Sequence, residues 1–221
     1  MKVAQIWRFP VKSMDGEQLD HARIGSLGIE GDRVVHVENE DGHVITSRTH
    51  PRLLGHHARL NESGDPVADG LRWSDPKARK MVMDIGGPGA KLVRDASIER
   101  FDVLPLLVAT DGAIAAFGHD GRRLRPNLVI GGVEGLVERD WPGQCLHIGD
   151  VVIGIQDLRG HCIMTTFDPD GLKQDRQVLR DIARKCDCTL DLNCFVIRGG
   201  EIRVGDPVEL VPEHECWASR V

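Results

Sequence analysis

The sequence predicts a mainly β protein of the α+β class, a barrel or sandwich with few helices. Three observations predict it. Short β-prone runs recur along the first hundred residues and are punctuated by Gly and Asp turns. A clear helical stripe occurs at Lys173 to Lys185, where Val178, Leu179, Ile182 and Ala183 fall on one side. The chain then closes on further short β-prone segments around Gly199-Gly200.

In chain order, Lys2 to Phe9 reads as a strand that Pro10 ends, because proline removes a ladder donor. Gln18 to Ile24 reads as a second short strand. Arg33 to Glu38 alternates around Val34, Val35 and Val37, and Glu40-Asp41-Gly42 turns it into His43 to Arg48. Pro51 to Leu60 fits a strand or a short helix, whereas Asn61 to Gly70 is polar enough for a surface loop. Lys80 to Ile85 and Ala90 to Val93 flank Gly86-Gly87-Pro88-Gly89, read as a turn because the Lys-Ser/Thr ending of a phosphate loop is missing. The apolar Phe101 to Thr110 opens the second half, followed by strands within Leu124 to Gly131 and Cys145 to Ile155. Lys185 near the end of the helix suits its dipole. Asn193 to Arg198, Ile202 to Val204 and Asp206 to Val211 read as a closing meander.

Composition narrows the function classes. At 221 residues the chain holds one large domain or two small ones. A formal charge of −6 argues against nucleic acid as a partner, since no basic excess exists to neutralise phosphates along a groove. Tyrosine is absent and aromatics make up 4%, which leaves little to stack on bases. The N-terminus lacks the apolar core of a secretory signal, and no run approaches the ~18 apolar residues of a membrane span. A cytoplasmic protein without a membrane partner follows, its six cysteines reduced.

The chemistry concentrates at Leu158 to Gly171. Cys162 sits beside His161, with Arg159 three residues earlier, at the entry to a short β-prone run. Asp168-Pro169-Asp170-Gly171 has the residues of a type I turn. Such a thiol can bind a soft metal, carry sulfur, or simply fill a buried site. Lys12-Ser13, Arg33, Arg122-Arg123-Leu124-Arg125 and Arg159 lie at turns or strand ends, and brought together they suit a phosphate. Cys186-Asp187-Cys188 with His214 and Cys216 lacks ordinary zinc spacing. His56 and His57 are adjacent, so on a strand they would face opposite sides. A serine elbow, a nucleotide-binding fingerprint and an iron–sulfur pattern are all missing.

With these pieces in order, the chain resembles the MOSC family, molybdenum-cofactor sulfurase C-terminal-type domains preceded by an N-terminal β-barrel region. The resemblance rests on Ile6-Trp7-Arg8-Phe9-Pro10-Val11-Lys12-Ser13, Gly31-Asp32-Arg33, Val44-Ile45-Thr46-Ser47-Arg48 and Pro51-Arg52-Leu53. It continues through Leu124-Arg125-Pro126-Asn127, Trp141 with Ile148-Gly149-Asp150, the segment from His161 to Asp170, and Ile202-Arg203-Val204-Gly205-Asp206. It implies a MOSC-type β-barrel, with an N-terminal region over 1–95 and a MOSC domain over 96–221. It implies the molybdenum cofactor, Mo-molybdopterin, with Cys162 as the metal ligand. Lys12, Ser13, Arg33 and Arg125 would hold its phosphate and pterin, with Gly160 and His161 lining the site. Val103 and Leu104 replace a family Thr-Ser pair at a cofactor contact, and Cys194, with Asn193 beside it, stands where some relatives place a tyrosine. His161 replaces a common family arginine.

The activity so implied is reduction of N-hydroxylated or N-oxide compounds, small-molecule substrates, with His161 and Asp168 as the nearest proton sources. Electrons would come from a separate donor protein of ferredoxin or cytochrome type with its reductase, because the chain carries no electron-transfer motif of its own. The alternatives are a sulfur carrier forming a persulfide on Cys162 and a protein that carries or stores the cofactor.

Overall fold

The computed structural model describes residues 1–217, so the last four residues of the expected second unit lie outside the described residues. Its centre is an eight-stranded sheet. The strands run in the order Glu209–Val211, Cys145–Ile148, Val151–Gly160, Thr189–Arg198, Leu106–Thr110, Leu128–Gly131, Lys2–Arg8 and Glu17–Leu19. Every pairing is antiparallel except Leu106–Thr110 with Leu128–Gly131, and the crossover between those two carries the helix Asp111–Phe117. Three small three-stranded sheets surround it.

In Lys2–Arg8 the buried residues Val3 and Ile6 are three apart, which a period of two does not allow. A register shift between Val3 and Gln5 accounts for this, since a bulge inserts one residue and returns Ile6 to the core face. The main core joins Val3, Ile6, Val108, Leu128, Ile130 and Ile153. A second core gathers Val11, Met14, Val35, Leu53 and Val82, and a third lies between the helices Asp111–Phe117 and Gln177–Cys186. Among the described residues no helix is long and apolar enough to cross a membrane.

Several local expectations are corrected. The strand expected over Gln18 to Ile24 is two, Glu17–Leu19 and His21–Gly25, which join different sheets. Pro51 to Leu60 is both things in turn, a 3₁₀ turn at Pro51–Gly55 and a strand at Ala58–Leu60. The polar loop contains the buried strand Pro66–Ala68. Two further helices exist. Pro76–Gly86 is announced by Asp75, whose side chain accepts from Lys77 N, by Pro76 in the first turn, and by Gly87 at its end. Asp111–Phe117 is capped by Thr110 and stopped by the left-handed Gly118.

The β-prone run after Cys162 is a 3₁₀ turn, Ile163–Thr166. Its threonine hydroxyls donate to the carbonyls of Cys162 and Ile163, so local bonds win over a ladder. Nor is the closing stretch a meander. Thr189–Arg198 pairs with Val151–Gly160, Gly200–Arg203 with His21–Gly25, and Glu209–Val211 with Cys145–Ile148.

Finally, Cys145 and Cys216 form a disulfide, against the expectation of six reduced thiols. Pairing of Cys145 with Val211 brings the following turn, Glu213–Glu215, back over the same strand. Cys216 is thereby unavailable to the Cys186-Cys188 set, and no metal-holding cluster of His, Cys, Asp or Glu occurs among the described residues.

Candidate functional site

The strand Val151–Gly160 pairs with Thr189–Arg198 along most of its length, with register shifts after Ile155 and again between Leu158 and Gly160. Such irregularities re-aim side chains at a strand end. Here they deliver Arg159, Gly160, His161 and Cys162 into one cleft. Lys12, Ser13, Arg33, Thr46, Arg48, Asp102, Arg123 and Arg125 line the rest of it. The cleft encloses about 710 Å³ including its open mouth.

Three of the predicted residues share one backbone property. Ser13, Arg33 and Arg125 have φ of 70°, 53° and 59°, a left-handed conformation that costs a residue with a Cβ roughly 1–2 kcal/mol. Strain of this kind clusters where side chains are aimed for function. Gly31 makes the turn before Arg33 possible, since its φ is +82° and a Cβ there would lie 2.5 Å from Leu60 Cδ1.

Each cation is held by specific partners. Arg33 is bound by the wholly buried Asp32, and its Nη1 also reaches Asn127 Oδ1 at 3.3 Å. Asp32 Oδ1 accepts from Phe9 N at 2.7 Å, so one carboxylate fixes both the arginine and the end of the first strand. Arg125 Nη2 donates to Met14 O at 2.6 Å, and its guanidinium lies 4.2 Å from the centre of the Phe9 ring. The Arg33 guanidinium lies 5.3 Å from the same ring. Ser13 Oγ accepts from Ser47 N at 3.0 Å.

Lys12 Nζ donates to Arg100 O at 2.9 Å and meets Asp102 Oδ1 at 2.8 Å, while Arg48 Nη2 reaches Asp102 Oδ2 at 2.7 Å. Burial works to raise the Asp102 pKa, but the Lys12 hydrogen bond and the charges of Lys12, Arg48 and Arg159 together hold it below the usual carboxylate range. Arg48 and Arg159 also act electrostatically on the Cys162 sulfur, which is free and half-buried.

Six cations line the cleft; Asp102 within it, Asp32 behind Arg33 and Asp168 behind Arg123 supply three carboxylates, which leaves an excess of positive charge. Burial and the neighbouring Arg33 push the Arg125 pKa down to about 10. Burial likewise lowers Arg159 despite the attraction of Asp102. The arrangement has more positive charge than the protein neutralises, which is the chemistry of an anion site.

His161 is held from behind. Its Nε2 lies 2.9 Å from Leu190 O and 3.4 Å from Asp191 Oδ2, and Asp191 is fully buried. Because a carbonyl only accepts, Nε2 carries the hydrogen. Burial pushes the Asp191 pKa up, and His161 only partly opposes it.

Of the predicted residues, Lys12, Ser13, Arg33, Arg125, Gly160, His161 and Cys162 line this cleft. Val103, Leu104 and Asn193 line an adjoining hollow that shares Arg33, Asp102 and Arg159 with it, where Arg159 Nη1 donates to Asn193 Oδ1 at 3.3 Å. Two residues lie elsewhere. Cys194 points the opposite way from Asn193, into the main core, as alternation along a strand requires. Asp168 does not line the cleft; it pairs with Arg123 Nη2 at 2.9 Å and accepts from the N–H groups of Asp170 and Gly171.

The sequence reading missed Arg48 and Asp102 in the cleft and Asp191 behind His161, while Arg123 and Arg159 stood among its basic features. The signal for Asp191 was a carboxylate inside a strand between two leucines, a costly position without a reason. Asp102 carried no comparable signal, because only the folded loop brings it to Lys12.

Comparison with known proteins agrees with this architecture. Mitochondrial amidoxime-reducing component 1 of Homo sapiens is 26% identical, covering 95% of this chain and 82% of that protein. Mitochondrial amidoxime reducing component 2 of Macaca fascicularis is 24% identical, covering 93% and 82%. Among solved structures, the YUAD protein from Bacillus subtilis has a similar fold, with a TM-score of 0.52 at 14% identity over 95% of this chain and 94% of that one. Residues 1–112 match the MOSC N-terminal beta barrel domain and residues 113–209 the MOSC domain, and the chain belongs to the MOSC family.

Proposed function

We propose that the protein binds the molybdenum cofactor in the Cys162 cleft and reduces N-hydroxylated or N-oxide compounds. The observation that carries this reading is the meeting of one free thiol with six cations that three carboxylates only partly neutralise. The residues suit the group: a thiolate is a soft metal ligand, and Arg125, which pairs with no carboxylate among the described residues, suits an anion such as a pterin phosphate.

In this reading Lys12, Ser13, Arg33 and Arg125 hold the phosphate and pterin, and Cys162 ligates the metal. When bound, the cofactor supplies two-electron chemistry at the N–O bond. The chain supplies position and charge. Asp102 keeps Lys12 and Arg48 oriented, and Arg125 keeps its charge without a paired carboxylate among the described residues. Asp168, tied to Arg123 and to its own turn, does not line the cleft, so His161, which does, is the residue left to relay a proton. Electrons arrive from a separate donor protein of ferredoxin or cytochrome type with its reductase.

The test is metal and pterin analysis of protein made in a host with an intact cofactor pathway, beside Cys162→Ser. Wild type should carry molybdenum, and the variant should lose the metal. Wild type without molybdenum or pterin would overturn the reading. A sulfur carrier remains the second reading, because Cys162 is a free, half-buried thiol that lines the open cleft. Persulfide transfer to Cys162 in cofactor-free protein, without reduction of benzamidoxime by loaded protein, would select it.

A further inference from the structure

Behind the cleft, the ladder between Val151–Gly160 and Thr189–Arg198 is interrupted at one place. Leu158 pairs with Leu192 and Gly160 with Thr189. Arg159 alone therefore stands opposite both Leu190 and Asp191, which makes a β-bulge. Within it Asp191 has φ of 68°, a left-handed conformation that favours glycine.

The Asp191 carboxyl adds a second cost. Asp191 is wholly buried between Leu190 and Leu192, and neither Oδ1 nor Oδ2 makes a hydrogen bond. A buried polar group without one is expensive. Glu138, also buried and with its Oε1 equally without a hydrogen bond, repels Asp191 electrostatically. A fold that retains backbone strain and an unsatisfied acid at one residue usually does so at a functional position.

The group that Asp191 faces is His161. Nε2 of His161 donates to Leu190 O at 2.9 Å, with Asp191 Oδ2 3.4 Å away, so two consecutive residues of the bulge supply both oxygens. The same ring lines the Cys162 cleft. A carboxyl oxygen attracts an N–H whether or not the group is ionised, so this hold on the ring does not depend on the charge of Asp191.

We propose that Asp191 is the positioning residue of His161: it keeps the ring's Nε2–H turned into the bulge and so fixes the edge that His161 presents to the cleft. The inference deepens the reductase reading above, in which His161 relays a proton, and rests on it for the effect on rate.

The experiment has two arms. In cofactor-free protein with ¹⁵N-labelled histidine, the His161 Nε2–H resonance is identified by its loss in His161→Gln. It should exchange slowly in wild type, because the side chain is only 4% exposed and hydrogen-bonded. Asp191→Gly suits the left-handed backbone, so it should be at least as stable as wild type in urea at pH 7, yet its His161 N–H should exchange at least tenfold faster. Asp191→Asn keeps an acceptor oxygen and should keep the slow resonance. In molybdenum-loaded protein Asp191→Gly should lower kcat for benzamidoxime at least tenfold and leave KM within twofold. A slow resonance that survives in Asp191→Gly or is lost in both variants, or a loaded Asp191→Gly with the wild-type kcat, would overturn the proposal. If wild type holds no molybdenum, the reductase reading falls by itself, and the exchange rates still decide whether Asp191 positions His161.

Discussion

Arg125 gives the sharpest test of how the cleft works. In the cofactor-free protein its guanidinium is buried beside Arg33, and its pKa falls from 12.5 to about 10. That fall corresponds to about 3 kcal/mol spent at neutral pH to keep it charged. Against this stand a charged hydrogen bond to Met14 O, worth about 1.5–3 kcal/mol, and the Phe9 ring at 4.2 Å, worth about 0.5–1 kcal/mol. The terms nearly cancel. Arg125→Met keeps the apolar stem over Phe9 and removes the charge, so cofactor-free protein should stay within about 1 kcal/mol of wild type. Cofactor retention should nevertheless collapse, because a phosphate loses its buried partner. Urea denaturation of the cofactor-free proteins measures the first quantity, and pterin content after co-production measures the second. A variant destabilised by more than about 3 kcal/mol would mean Arg125 is a structural cation. A stable variant with full pterin content would remove it from the site.

Three further outcomes follow from the structure. Asp168→Asn keeps the turn acceptor for Asp170 and Gly171 and loses only the half-exposed pair with Arg123, so it should cost about 1 kcal/mol or less; a pH–rate profile that changes shape would return Asp168 to the proton path. Asp191 has a folded pKa raised by burial, so its stabilising contribution is complete below the unfolded value near 4 and is lost as pH rises through the folded one. Asp191→Asn should therefore match or exceed wild type in urea at pH 7 and lose that advantage near pH 4; a variant less stable at pH 7 would contradict this. Thiol titration of denatured, unreduced protein should find four reactive cysteines, and six after reduction; Cys216→Ala should lower stability by about 2–4 kcal/mol.

What the sequence by itself determined was local or motif-bound. The β class followed from turn residues between short apolar runs, because turn chemistry depends on neighbours in the chain. The thiol Cys162 and five of the six cations of its cleft, Lys12, Arg33, Arg123, Arg125 and Arg159, were legible with Ser13, since each lies at a turn, at a strand end or close to the cysteine. The helix Pro76–Gly86 was legible too, in Asp75-Pro76 and Gly87, although its weak apolar stripe hid it.

Tertiary structure alone decided the rest. Register shifts in Val151–Gly160 choose which way Arg159 and Cys162 face, and register depends on a partner strand distant in sequence, Gly160 pairing with Thr189. Asp102 became part of the site only when its loop reached Lys12 and Arg48. Cys145 and Cys216, 71 residues apart, met because Glu209–Val211 paired with Cys145–Ile148 rather than with its sequence neighbours. Cys194 went into the core and Asn193 toward the adjoining hollow because the sheet has two faces, and only packing says which is inside.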